Sequence, residues 1–241
     1  MKKPAFISNE IYHIYNRGVE KRTIFLDNKD YLRFIHDLWE FNNAKEIKQS
    51  NTRFISRKPA TVSENNMITA TQRLEVQPPN VGLVEIIAFC LMPNHYHLLL
   101  RQSSENGIVK FMQKIGTGYT MYFNQKNQRV GHLFQGRFKA ILINSNRHLL
   151  HMPNYIHLNP LDLIEPGWRK NKITNPKKSL AYLQKYRWSS LLDYINIKNF
   201  PSIINRKLLK EILGSPSHYK KHLFDWIREM DQEEINRISL E

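Results

Sequence analysis

With 241 residues, 41% of them hydrophobic, the chain is long enough to bury a full core and too apolar to stay disordered, so one domain with appendages is expected. No apolar run reaches the roughly 18 residues of a membrane span, no apolar stretch follows the lysines of "MKKPAFISNE", and the single cysteine, Cys90, excludes an internal disulfide, so a cytoplasmic protein without a membrane partner is expected. Lys and Arg number 36 against 21 Asp and Glu, a net charge of +15 that attracts polyanions.

In chain order, "IYHIYNRG" (11–18) alternates and is rich in β-formers, which predicts a strand ending at Gly18. Tyr31, Phe34, Ile35, Leu38 and Trp39 then recur at helical spacing, with Asp27 or Asn28 as N-cap. Residues 44–80 are polar and aperiodic and read as a flexible insert. "LVEIIAFCLM" reads as a buried strand, Pro93-Asn94 as a turn, and "HYHLLLR" as a second strand. Ile108, Phe111, Met112, Ile115, Tyr119 and Tyr122 mark a helix to about Asn127, in which Gly116 and Gly118 either weaken the helix or admit a close neighbour. "HLFQGRFKAILI" (132–143) returns to strand, and Asn144 or Ser145 caps a helix through about Leu158. The end (206–230) is helical and partly amphipathic. This order predicts an α+β fold, an antiparallel sheet with helices packed against it.

The charge is uneven. Arg101, Lys110, Lys114, Lys126, Arg129, Arg137, Lys139 and Arg147 face one acid, Glu105, between 101 and 150, which reads as a phosphate-facing surface. Arg17, Lys114, Arg137 and Lys139 are the candidate phosphate contacts. Tyr119 and Tyr122 could stack on bases, although their spacing suits core packing better.

The chemistry concentrates in two places. In "AFCLMPNHYHLLLR" (88–101), His95 and His97 are two apart on a strand and therefore share a face, while Tyr96 and Leu98 point the other way. Two neutral imidazoles so placed can hold a divalent ion if a third ligand arrives from elsewhere; otherwise they are ordinary hydrogen-bonded groups. In "RHLLHMPNYIHLNPLDLI" (147–164), a helix would line up His151, Tyr155 and Asn159. Tyr155 is then either a nucleophile, which needs help from a base, metal or cation, or a core tyrosine. Pro153 is out of place in a helix interior and marks either a flexible point or the true helix start.

"YHIYNRG", "AFCLMPNHYHLLL", "HLFQGRFKAILI", "NYIHLNPL" and "YRWSSLLDYI", in this order from about Glu10 to Tyr194, resemble the HUH single-tyrosine transposases, specifically the REP-associated tyrosine transposases. The resemblance implies a ferredoxin-like or RRM-like transposase domain over 1–165 and a helical C-terminal extension over 166–241. It implies cutting and rejoining of hairpin-bearing single-stranded DNA with Mg²⁺ or Mn²⁺. His95 and His97 would be the metal-ligand pair, Asn159 a third metal-directed side chain and Tyr155 the nucleophile. It is compatible with a monomer or a homodimer. A retired enzyme that binds structured DNA or RNA without chemistry is the alternative.

Overall fold

The computed structural model describes residues 6–43, 82–170 and 173–229. The segment 44–80, expected to be an insert, lies outside the described residues. The elements run β1 (Ile11–Arg17), α1 (Asn28–Glu40), β2 (Val84–Met92), β3 (His95–Gln102), α2 (Gly107–Lys126), β4 (Lys139–Leu142) and α3 (Asn146–Leu158), followed by a 3-10 turn (Asn159–Leu163). Four further helices follow among the described residues: α4 (Pro176–Leu183), α5 (Leu191–Tyr194), α6 (Lys207–Leu213) and α7 (Pro216–Glu229). The strands form one antiparallel sheet in the order β2-β3-β1-β4. The residue pattern led us to expect the α+β antiparallel sheet, and with βαββαβ connectivity it takes the ferredoxin-like arrangement that the resemblance implied.

Each element forms for a local reason. Asp27 caps α1, its carboxylate accepting from the Lys29 and Asp30 amides at 2.9 and 3.1 Å. Ser145 caps α3 by accepting from the His148 amide. Of Gly116 and Gly118 in the interior of α2, only Gly118 serves a close approach: a Cβ there would lie 2.6 Å from the Phe41 ring, whereas one at Gly116 would meet nothing. Tyr119 and Tyr122 belong to the fold. Tyr119 is fully buried and donates to the Ile24 carbonyl, and Tyr122 donates to Asp30.

The strand expected over 132–143 is shorter. Only Lys139–Leu142 pairs with β1, apart from an isolated Gly18–Phe134 bridge. Gly136 adopts φ +71°, and its amide turns back onto the Phe134 carbonyl, which breaks the ladder.

β2 lies at an edge of the sheet, and the segment containing "YRWSS" covers that edge. The Leu91 amide donates to the Trp188 carbonyl (2.9 Å), the Phe89 amide to Ser190 Oγ (2.9 Å), and Tyr194 Oη to the Ile87 carbonyl (2.6 Å). Trp188 stacks on Tyr31 of α1, and side chains from Trp168 to Ile227 join the same hydrophobic cluster as the sheet.

Candidate active site

The β1–β3 register places Arg17, Tyr15 and His13 opposite His95, His97 and Leu99, on one face of the sheet. Tyr96 points to the other face, against Phe34 of α1. The His95 and His97 rings are 5.0 Å apart and perpendicular. His95 Nδ1 donates to Asn94 Oδ1 at 2.6 Å, which leaves Nε2 as the nitrogen able to ligate. His97 Nδ1 lies 2.9 Å from Nε2 of His13, both residues being fully buried. If His97 donates there, its Nε2 is likewise able to ligate.

Burial sets the protonation. It pushes His95 down to about 4 against the opposing pull of Asp162. Burial and then the His148 charge push His13 to about 3. Burial together with His95, His13 and Arg169 drives His97 well below its usual value. All three imidazoles are neutral at pH 7, the state in which a histidine ligates.

α3 packs against β2 and β3 and carries Tyr155 onto this face. The Tyr155 ring centre lies 5.9 Å from that of His97 and 6.0 Å from that of His13, edge-on to both. Pro153 sits inside the helix, seven residues beyond its start at Asn146, so it does not begin the helix. Asn159 is held at the helix end, its Nδ2 donating to the Tyr155 carbonyl at 2.8 Å, and its side chain is within hydrogen-bonding reach of His95.

Two imidazoles and an amide oxygen are therefore assembled from two elements of one chain. This is a borderline donor set of the kind that can hold a divalent ion. Among the described residues one other cluster could ligate, His36, Asp37 and Glu40 on α1. It belongs to the opposite side of the sheet, and Asp37 is paired with Arg33 at 2.8 Å.

The four candidate phosphate contacts separate. Arg17 lies beside His95 in the register and donates to Gln135. Lys139, opposite Tyr15, has its Nζ 5.5 Å from the centre of that ring. Both flank the histidine face. Lys114 donates to the Asn43 carbonyl at 3.0 Å. Arg137 lines a cavity of about 790 Å³ with Asn16, Tyr96 and Phe134, on the other side of the sheet. Lys114 and Arg137 are therefore not brought to the histidines.

Two residues of the site escape a sequence reading. His13 is seen only in "YHIYNRG", where nothing marks it as a neighbour of His97. Arg169 follows the tyrosine by 14 positions, in a stretch without periodicity, yet its guanidinium carbon lies 5.4 Å from the centre of the Tyr155 ring.

Residues 80–159 match the family model described as "Transposase IS200 like". The matched residues include the histidine pair, the tyrosine and Asn159, so the similarity to IS200-like transposases falls where the motifs led us to expect it. A solved structure described as "Structure of the REP associates tyrosine transposase bound to a REP hairpin" is similar over 85% of this chain and 90% of that chain, at 14% identity and a TM-score of 0.47. No curated protein matches the sequence.

Proposed function

We propose that the protein is a metal-dependent single-strand DNA transposase that nicks and transfers strands through Tyr155. The observation that carries this reading is the meeting of Tyr155 with His95 and His97 within one chain, with ring centres 5.9 Å apart for Tyr155 and His97. The family match over the same residues supports it.

His95, His97 and Asn159 would hold the ion, which when bound supplies Lewis-acid polarisation of a non-bridging phosphate oxygen. Tyr155 Oη attacks phosphorus, the Oη–P bond forms and the P–O3′ bond breaks. The phenolic proton departs, and the 3′ oxygen takes up a proton to become a hydroxyl. The 5′-phosphotyrosine keeps the bond energy, so a second 3′-hydroxyl can reseal the strand without ATP. Arg17 and Lys139, beside the histidine face, would meet the phosphates of the strand. Hairpin-bearing single strands are the substrate implied by the resemblance of the motifs to REP-associated enzymes.

The test is incubation with labelled hairpin-bearing single-stranded DNA from the flanks of the gene, with Mn²⁺, followed by a denaturing gel. A covalent adduct is expected in the wild type, and its loss by at least about a thousandfold in Y155F. An adduct of undiminished yield in Y155F would remove Tyr155 from the nucleophile's role. A second reading, a binding module without chemistry, is favoured by one observation: Tyr155 is only 1% exposed. It predicts salt-sensitive binding and no adduct with any divalent ion.

A further inference from the structure

Arg169 lies ten residues beyond the 80–159 family match. Its guanidinium is held from several sides. Nη1 donates to both carboxylate oxygens of Asp162, the longer bond being 2.6 Å, and Nη2 donates to Asn159 Oδ1 at 2.7 Å. Its carbon lies 4.6 Å from the ring centre of Trp168, which is 1% exposed and anchors the loop, and 5.4 Å from that of Tyr155. Its hydrogen bonding reaches Tyr155 as well. A guanidinium keeps its charge in a protein interior, and Asp162 supplies the counter-charge here. It stays cationic.

Such a clamp is more than a loop tether requires. The Asp162 pair alone would fix the loop to the 3-10 turn; the remaining contacts go to the side chain at the nucleophile position and to the candidate third ligand. Arginine is suited to this because a planar fork can bond two partners at its edges while its face lies on an aromatic ring. A lysine would supply charge without that orientation.

We infer that Arg169 is a positioning residue for strand transfer, clamping the Tyr155 phenol and the Asn159 amide in one arrangement and supplying positive charge where the phenolic proton departs. This rests on the transposase reading. As Tyr155 attacks, negative charge moves from its oxygen onto the phosphoryl group, and a fixed cation beside both costs no reorganisation. The side chain is 24% exposed, so a phosphodiester can approach it.

The test compares wild type, R169A and R169K in the adduct assay, alongside hairpin-DNA binding and thermal melting, and then repeats R169A with added guanidinium chloride at millimolar concentration. The expected result is an adduct rate about a hundredfold lower in R169A, DNA binding within about threefold of wild type, and at least about tenfold recovery with guanidinium. R169K, which retains charge and serves if R169A folds poorly, should fall between the two. An R169A rate within about threefold of wild type overturns the inference while leaving the transposase reading intact. So does an equal loss in both variants with a lowered melting temperature and no recovery, which is the behaviour of a tether. Absence of an adduct in the wild type overturns the transposase reading, and this inference with it.

Discussion

At the histidine pair, what decides chemistry is where two protons sit. Asn94 Oδ1 accepts from His95, which fixes that ring's tautomer unambiguously. His97 has another imidazole as its partner, and two tautomer pairs satisfy the bond. Only the pair in which His13 accepts leaves Nε2 of His97 able to ligate. His13 Nδ1 is buried without a hydrogen-bond partner among the described residues, so neither pair is fully satisfied, and an ion on His97 would select the ligating one. His13→Gln can still accept through its amide oxygen and should keep Mn²⁺ affinity within a few-fold, whereas His13→Phe should weaken it by about 10- to 100-fold in calorimetric titration. Equal affinities in the two variants would show that His13 does not orient the ligand.

At the scale of elements, the site depends on how closely helices can approach the sheet and one another. Gly118 lets α2 lie against Phe41 at the end of α1, and that contact helps hold both helices against the face opposite the histidines. Gly118→Ala should destabilise the protein by about 1–3 kcal/mol, because the Phe41 ring is buried and must shift. Gly116→Ala, in the same helix with open space at its Cβ, should instead stabilise by up to about 1 kcal/mol by removing a helix-interior glycine. Opposite shifts in melting temperature are the expected signature. The strand and helix periodicities of 11–18, 27–42 and 106–127 were legible because local repeats of side-chain type set those elements. The shortening of β4 was not, because 132–138 keeps strand-like composition while Gly136 takes a positive φ that only the fold reveals.

For the whole molecule, the joint between the tyrosine helix and the C-terminal helices is a buried histidine. His157, two residues past Tyr155, pairs through Nδ1 with Tyr219 Oη at 2.7 Å and through Nε2 with Ser190 Oγ at 2.8 Å. Burial pushes it down to about 3, as it does His13. Between pH 6.5 and about 3 the unfolded chain therefore binds more protons than the folded one, and stability falls as pH falls through that window. Each such histidine should cost about 1 kcal/mol between pH 7 and 5.5. The melting temperature should drop over that range, and less steeply in His157→Gln, which removes one of the titrating groups. A flat profile in the wild type would contradict the burial of these rings. Among the described residues no helix is long and apolar enough to cross a membrane.

The sequence by itself determined the α+β order, the shared face of His95 and His97, and the tyrosine–asparagine spacing of one helical turn, because each follows from a period along the chain. Tertiary structure alone decided that His13 bonds His97 and that Arg169 reaches Tyr155. Only the fold brought Arg17 and Lys139, but not Lys114 or Arg137, to the histidine face. Those contacts join residues on different elements, 84 positions apart for the two histidines, and no local pattern of side chains specifies which distant segments a sheet and its packed helices will bring together.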